Sequence, residues 1–372
     1  MLSVGLTERE REIVELLRRD PLIGSEAIAE RLGTSRASVN VHLSNLGKKG
    51  VILGRGYILG ERPGVVVIGG ANVDIKARST NRVRPTTSNP GWASMTPGGV
   101  GRNVAENLAR LGVRTFLVSA IGRDALGDSL LSETVAAGVR CEYVQRTELS
   151  TGTYTAVLDC DGELVVAVSD MAAVDALGPG PVNEARDIIT AAGLLVLDGN
   201  LGMPVLTHAS DLAATAQVRT ILEPVSVPKA ALIATSITAD RPLYAVTPNR
   251  DELTALTGLS TRTDKQLQKA ADSLHRRGVE HVWVRLGAIG SLFSTASSGA
   301  TWLPAGPATV ADVTGAGDAM LAAFCYAVLS GQDPVEAARY GQAAAVLTLA
   351  SPHTVRPDLT PRLIESALIA AP

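Results

Sequence analysis

At 372 residues the chain is long for one domain, and its length alone suggests roughly two or three. Apolar residues make up 46% and aromatic residues only 3%, so the core has to be built from Ala, Val, Leu and Ile, as in α/β proteins; a net charge of -3 gives no global attraction to nucleic acid or to a membrane. Cys141, Cys160 and Cys325 lack metal-ligand spacing and are odd in number, which argues against a disulfide framework and for reduced thiols in a cytoplasmic setting. The N-terminus is too charged for a secretory signal, and no uninterrupted apolar run reaches membrane-spanning length.

Thr7 with Glu10 has the pattern of a capping box, and Ile13, Val14, Leu16 and Leu17 give the apolar stripe of a first helix that Asp20-Pro21 stops. Ser25 to Leu32 predicts a second short helix, Gly33-Thr34-Ser35 a tight turn, and Arg36 to Leu46 a third helix. The runs from Val51 and from Tyr57, joined by Gly54-Arg55-Gly56, predict a hairpin with a basic tip. This order, over about residues 5 to 60, resembles the winged helix-turn-helix family. The resemblance implies that the third helix enters the major groove of double-stranded DNA, with Ser35, Arg36, Ser38, Asn40 and His42 near its exposed side, Arg55 on the wing, and Lys48 and Lys49 toward phosphates. Residues 1–62 carry ten Lys and Arg against eight Asp and Glu, 10 - 8 = +2, so a small interaction or dimerisation module stands as the alternative.

Glu61-Arg62-Pro63-Gly64 is punctuated as a linker, which divides the chain into residues 1–62 and 63–372. Val65 to Ile68 then reads as a buried parallel strand leading into Gly69-Gly70-Ala71-Asn72-Val73-Asp74. Thr115 to Ala120, Leu194 to Leu197, Leu243 to Val246 and His281 to Arg285 are further apolar runs alternating with helical patterns, the signature of a doubly wound α/β sheet. Residues 77–97 and 152–170, the second with Asp161-Gly162 as its turn, read instead as extended or hairpin segments and are candidates for a small lid.

Four stretches carry chemistry. Asn72 and Asp74, expected at the carboxyl end of the first strand, point the same way and suit neighbouring sugar hydroxyls. Gly98 and Gly99 leave room for close backbone approach, and Asn103 follows just before a helix expected over Val104 to Leu111; taken singly, each of these two stretches also reads as an ordinary loop. Asn249 and Glu252, three apart at a helix start, fit either waters around a magnesium ion or a plain capping box. Finally, a β-branched, strand-like approach through Thr309, Val310, Val313 and Thr314 breaks at Gly315-Ala316-Gly317, and an Ala-rich helix begins near Asp318. Amides converging at a helix N-terminus stabilise the oxygens of a phosphoryl group, and Asp318 at that mouth can act as a general base; the other reading is a turn and a helix cap.

Together these motifs, in this order, resemble the PfkB or ribokinase-like family of sugar and nucleoside kinases across about residues 65 to 372. The resemblance implies a ribokinase-like doubly wound sheet with a small β lid. It implies Asp318 as catalytic base and Gly315, Ala316 and Gly317 as the anion hole. Asn72, Asp74, Gly98, Gly99 and Asn103 would hold the sugar. ATP would lie near Asn249, Glu252, Arg285, Gly287, Gly290 and Gln342, Mg2+ near Asn249 and Glu252, and a monovalent cation such as K+ near Asp312 and residues 351–355. Residues 72–76, 87–91, 97–112, 169–171 and 222–229 resemble the pseudouridine kinase branch, which makes Lys76, Thr87, Ser88, Asn89 and Asp170 candidate uracil contacts. The expected activity is phosphorylation of the 5'-hydroxyl of pseudouridine. The alternatives are another nucleoside or pentose, or a nucleoside-sensing regulator on a kinase fold. A homodimer is expected, because winged modules often pair and lid strands have open edges.

Overall fold

The computed structural model describes residues 6–54 and 64–370, and the chain separates into two compact units, Met1–Arg62 and Pro63–Pro372.

In the first unit, helices Glu8–Arg19, Ser25–Arg31 and Arg36–Lys48 close on a core of Ile13, Val14, Leu17, Ile23, Ile28, Ala29, Val39 and Leu46. The expected capping box is formed, with the Thr7 side chain accepting from the Glu10 amide and the Glu10 carboxylate accepting from the Thr7 amide. The predicted second strand of the wing, and Arg55 at its tip, lie outside the described residues.

In the second unit the strands are β1 (Val65–Ile68), β2 (Asn72–Ser79), β3 (Gly91–Gly98), β4 (Thr115–Gly122), β5 (Arg140–Thr147), β6 (Thr153–Leu158) and β7 (Leu164–Asp170). After them come β8 (Leu194–Asp198), β9 (Thr220–Glu223), β10 (Leu243–Val246), β11 (Val279–Arg285), β12 (Gly290–Thr295) and β13 (Gly299–Pro304). Nine of them form one sheet in the order β13-β12-β11-β10-β9-β8-β1-β4-β5, parallel from β11 through β5 and closed at the other edge by the antiparallel β12 and β13. Its central strands are buried on both faces, which is why they read as unbroken apolar runs. Val66, Ile68, Leu195 and Leu197 enter one hydrophobic layer, and their neighbours Val65, Val67, Leu194 and Val196 enter the other. No described helix is long and apolar enough to cross a membrane.

The two segments predicted as a lid form a separate four-stranded sheet, ordered β3-β2-β6-β7, with the β6-β7 hairpin turning at Gly162. Asn72 and Asp74 therefore open the first strand of this small sheet; they do not end β1, because the chain breaks at Gly69-Gly70-Ala71 before extending again. The helix expected from Val104 begins at Val100, so Gly101, Arg102 and Asn103 occupy its first turns. Gly101 is held there by close packing, since a Cβ would stand 2.8 Å from the Gly69 backbone. Residues 309–314 are not a strand: no strand pairs with them, and the Asp312 side chain accepts from the Thr314 amide and hydroxyl at 2.8 and 2.7 Å, fixing a local turn.

Candidate active site

The helix Ala316–Leu329 starts from Gly315, whose φ of 80° is left-handed and whose missing Cβ would overlap the carbonyl oxygen of Thr354. Glycine is required there on both counts. The helix N-terminus has no side-chain cap, so the first amides, including those of Ala316 and Gly317, have no intrahelical partner and face outward at the positive end of the helix. Asp318 sits in the first turn rather than at the cap. It keeps an accessible face, and its Oδ2 accepts from Asn103 Nδ2 at 2.9 Å. Burial pushes the Asp318 pKa up to about 7, helped by the Glu223 and Asp198 carboxylates and opposed by the Asn103 hydrogen bond and by Arg285. A carboxyl group poised near neutrality beside free amides can exchange a proton where an anion is held.

Asn103 is positioned from both sides. Its Oδ1 accepts from Arg102 Nη1 at 3.2 Å, and Arg102 is itself buried against Glu106. Asn72 and Asp74 approach along β2: Asn72 Nδ2 donates to Asp74 Oδ1 at 2.7 Å, and Asn72 pairs across the ladder with Gly98, whose successor Gly99 precedes the Asn103 helix. Burial raises the Asp74 pKa, with the Asn72 hydrogen bond acting the other way. Asp170 reaches the same level of the small sheet, two strands over, where it pairs with Thr153. Thr87, Ser88 and Asn89 do not. They lie in the loop at the far end of the β2-β3 hairpin, about 20 Å from Asp74 at the rise of an extended strand. Asn89 is occupied in holding that loop, bonding the Arg84 amide and the Arg84 and Thr87 carbonyls. Lys76 is engaged in an ion pair with Asp312 at 2.9 Å.

On the other side of the Asp318 helix, Asn249 and Glu252 form a complete capping box. Glu252 Oε2 also accepts from Arg285 Nη2 at 3.3 Å, and the same nitrogen donates to Glu223 Oε1 at 2.6 Å. Burial opposes the charge on Arg285, but Glu223 and Glu252 outweigh it and hold the pKa above the ordinary arginine value. The guanidinium lies against the cradle, with Nη1 2.7 Å from where a Cβ on Gly317 would stand. Gly287 and Gly290 follow Arg285 with φ of 59° and 113°. Gln342 is less available than expected, because its amide nitrogen donates to Ser291 Oγ and the Leu303 carbonyl at 3.1 and 3.3 Å.

Glu223, Glu252 and Asp318 form an acidic cluster around one guanidinium, and oxygen donors of this kind suit Mg2+. Among the described residues no three carboxylate, His or Cys groups converge as a direct metal cage. The Asp312 carboxylate fits a monovalent cation poorly, since Lys76 already occupies Oδ2 and Thr314 fills Oδ1.

Two residues important to this geometry escaped the sequence reading. Asp198 ends β8 and accepts from the amides of Gly70 and Gly101 at 2.8 and 2.9 Å, tying the turn after β1 to the Asn103 helix. Glu223 ends β9 in the same way. In each case the available signal was an acidic residue closing an apolar strand.

On the first unit, Arg36 and Asn40 are exposed and Ser38 and His42 partly so, while Ser35 caps the helix by accepting from the Ser38 amide. Lys49, expected at a phosphate, pairs with the buried Glu10 at 2.7 Å.

A model of the pfkB family carbohydrate kinases matches residues 62–361, and a winged helix-turn-helix DNA-binding model matches residues 6–52. The uncharacterized sugar kinase YeiI of Escherichia coli is 35% identical over 357 residues, covering 95% of this chain and 97% of its own length. A pseudouridine kinase of Escherichia coli is 33% identical over 304 residues, covering 81% and 95%. Arabidopsis thaliana ribokinase complexed with ribose and ATP superposes with a TM-score of 0.73 at 26% identity, over 83% of this chain and 99% of that one.

Proposed function

The chain belongs to the pfkB family of carbohydrate kinases and carries an N-terminal winged helix-turn-helix domain, and from that premise we propose that it phosphorylates the 5'-hydroxyl of a nucleoside, pseudouridine first, with ATP as donor. The observation that carries this reading is the Asn103–Asp318 contact beside the unpartnered amides of the Ala316–Leu329 helix, with Asp318 poised near pH 7.

Asn72, Asp74, Asn103, Gly98 and Gly99 hold the sugar hydroxyls and bring the reacting one to Asp318. Asp170 borders the same opening. Asp318 takes the proton as the hydroxyl oxygen bonds to the γ-phosphorus and the bond from that phosphorus to the bridging oxygen of ADP breaks. The amides of Gly315, Ala316 and Gly317 and the Arg285 guanidinium receive the charge on the transferring oxygens. Asn249 and Glu252, with Glu223 behind them, are the residues that would hold Mg2+, and the ion would supply neutralisation of the phosphate oxygens. Gly287 leaves open backbone for the nucleotide, whereas the missing Cβ of Gly290 is taken up by the Leu303 carbonyl of β13, and the small sheet excludes water from the reaction.

A free pentose is the second reading, favoured by Thr87, Ser88, Asn89 and Lys76 not converging on a base site. A coupled ADP-release assay over pseudouridine, uridine, adenosine, inosine and ribose decides. Pseudouridine is expected to give the highest kcat/KM; ribose exceeding every nucleoside would retire the nucleoside reading.

For the winged domain we propose double-stranded DNA as partner, through Arg36, Ser38, Asn40 and His42. A gel shift on the protein's own upstream DNA is expected to show binding at low salt that weakens steeply as salt rises. No complex at low salt would leave this unit as an interaction module. A homodimer is supported by the apolar side chains that β7 leaves exposed, Leu164, Val166 and Val168.

A further inference from the structure

We propose that the Lys76 ammonium is a built-in monovalent cation for the turn at 312–315, filling the place a potassium ion would take and making the phosphoryl cradle depend on the seating of the small sheet. This rests on reading that turn as the phosphoryl cradle.

Asn72, Asp74 and Lys76 are alternate residues of β2 and share one face of the strand. The first two address the sugar side of the site, and the third reaches across to the glycine loop. Lys76 Nζ lies 2.9 Å from Asp312 Oδ2 and 3.4 Å from Thr314 Oγ1, so one ammonium bridges two oxygens of the turn. Asp312 Oδ1 is fixed by the Thr314 amide and hydroxyl, and the Ala311 amide is tied to the Leu349 carbonyl. The next residue, Gly315, packs on the Thr354 carbonyl. The two oxygens that the ammonium meets, from a carboxylate and a hydroxyl, are donors a hard monovalent cation also uses. An ammonium matches potassium in charge and nearly in size.

The difference is the tether. A free ion binds the loop whatever the lid does, but Lys76 belongs to a strand laddered to β3 and β6. Displacing the small sheet withdraws the cation. The carboxylate is then left without its counter-charge one turn from the amides that face the phosphoryl group. Both partners are partly exposed, with side chains 33% and 27% accessible, so the pair adds little to stability and its weight falls on geometry. Although burial acts the other way, the hydrogen bonds from Lys76 and Thr314 hold the Asp312 pKa below the usual carboxylate range, so the carboxylate is charged at neutral pH.

The test compares the full chain with Lys76→Met and Asp312→Asn at fixed ionic strength in choline, sodium, potassium and ammonium chloride. The unsubstituted protein is expected to work equally well in all four salts. Lys76→Met is expected to lose at least about tenfold in kcat in choline and to regain several-fold in potassium or ammonium chloride. A second readout needs no turnover: potassium should raise the Tm of Lys76→Met specifically, and not that of the unsubstituted chain or of Asp312→Asn. Potassium activation of the unsubstituted enzyme, a fully active Lys76→Met, or a variant with raised nucleoside KM and no cation response would each overturn the proposal. The last result would make Lys76 a substrate contact. A potassium-specific Tm rise in Lys76→Met alone, in a chain that phosphorylates nothing in the panel, would sustain the internal cation while the nucleoside reading fell.

Discussion

Asp318→Asn is expected to lower kcat by about 10²- to 10⁴-fold while leaving substrate affinity and the fold intact. The substitution keeps size and shape, and the hydrogen bond to Asn103 survives by rotation of either amide, so only the capacity to accept a proton is removed. The pH profile gives a sharper signature. A base that must be unprotonated and whose pKa is pushed to about 7 produces a kcat/KM that falls on the acid side of about pH 7; Asp318→Asn should lose that limb along with the rate. Stability should move the opposite way. The folded pKa lies above the ordinary aspartate value of 3.8, so the native state resists ionisation of this group. The stability present below 3.8 is lost as pH rises toward about 7, and a neutral Asn does not lose it. The Tm of Asp318→Asn should therefore match the parent in acid and exceed it at pH 8. Near-normal turnover in the variant, or an unchanged acid limb, would remove Asp318 from the mechanism.

The same residue shows why part of the site could be read in advance. Gly315, Gly317 and Asp318 are contiguous, and their meaning is local: a left-handed glycine, a helix start, an acid in the first turn. The central strands were legible for a similar reason, because burial on both faces leaves an apolar run in the sequence itself. β5 escaped notice because it is an edge strand of half-exposed polar residues, Arg140-Cys141-Glu142-Tyr143, with no run to see. Residues 309–314 misled in the other direction. Their β-branched composition suits a strand, but no strand neighbour exists there and Asp312 supplies local hydrogen bonds instead. Least visible were contacts between residues far apart in the chain, such as Lys76 with Asp312, Asp198 with Gly70, and Glu223 with Arg285. Each depends on how the sheets close, and nothing in the flanking residues announces it.

The Glu223–Arg285 contact carries the second large expectation: Arg285→Met should destabilise the kinase unit by about 3–5 kcal/mol at neutral pH, measured by denaturant unfolding. Arg285 joins two carboxylates whose side chains are 4% and 3% exposed, and removing it leaves both buried without a counter-charge. Thr247 Oγ1 at 2.5 Å and the Val225 amide at 3.2 Å still bond Glu223, and the Asn249 amide at 2.8 Å still bonds Glu252, but neutral donors do not replace a cation. Burial and Glu223 already raise the Glu252 pKa against the pull of Arg285; without the guanidinium it rises further. The deficit should therefore shrink as pH falls and Glu252 takes up a proton. Mg2+ should also narrow it, by supplying charge to the same cluster. Glu223→Gln in the Arg285→Met background is expected to recover part of the loss, because the cost lies in the stranded carboxylates rather than in the missing pair. Arg285→Lys should not rescue activity. A single ammonium cannot bond Glu223 and Glu252 and also lie against Gly317, so the cradle would lose the cation that the two glutamates hold in place. If Arg285→Met unfolds like the parent at pH 7, the two carboxylates are not buried against it, and the charge assigned to the transferring phosphoryl must come from another residue.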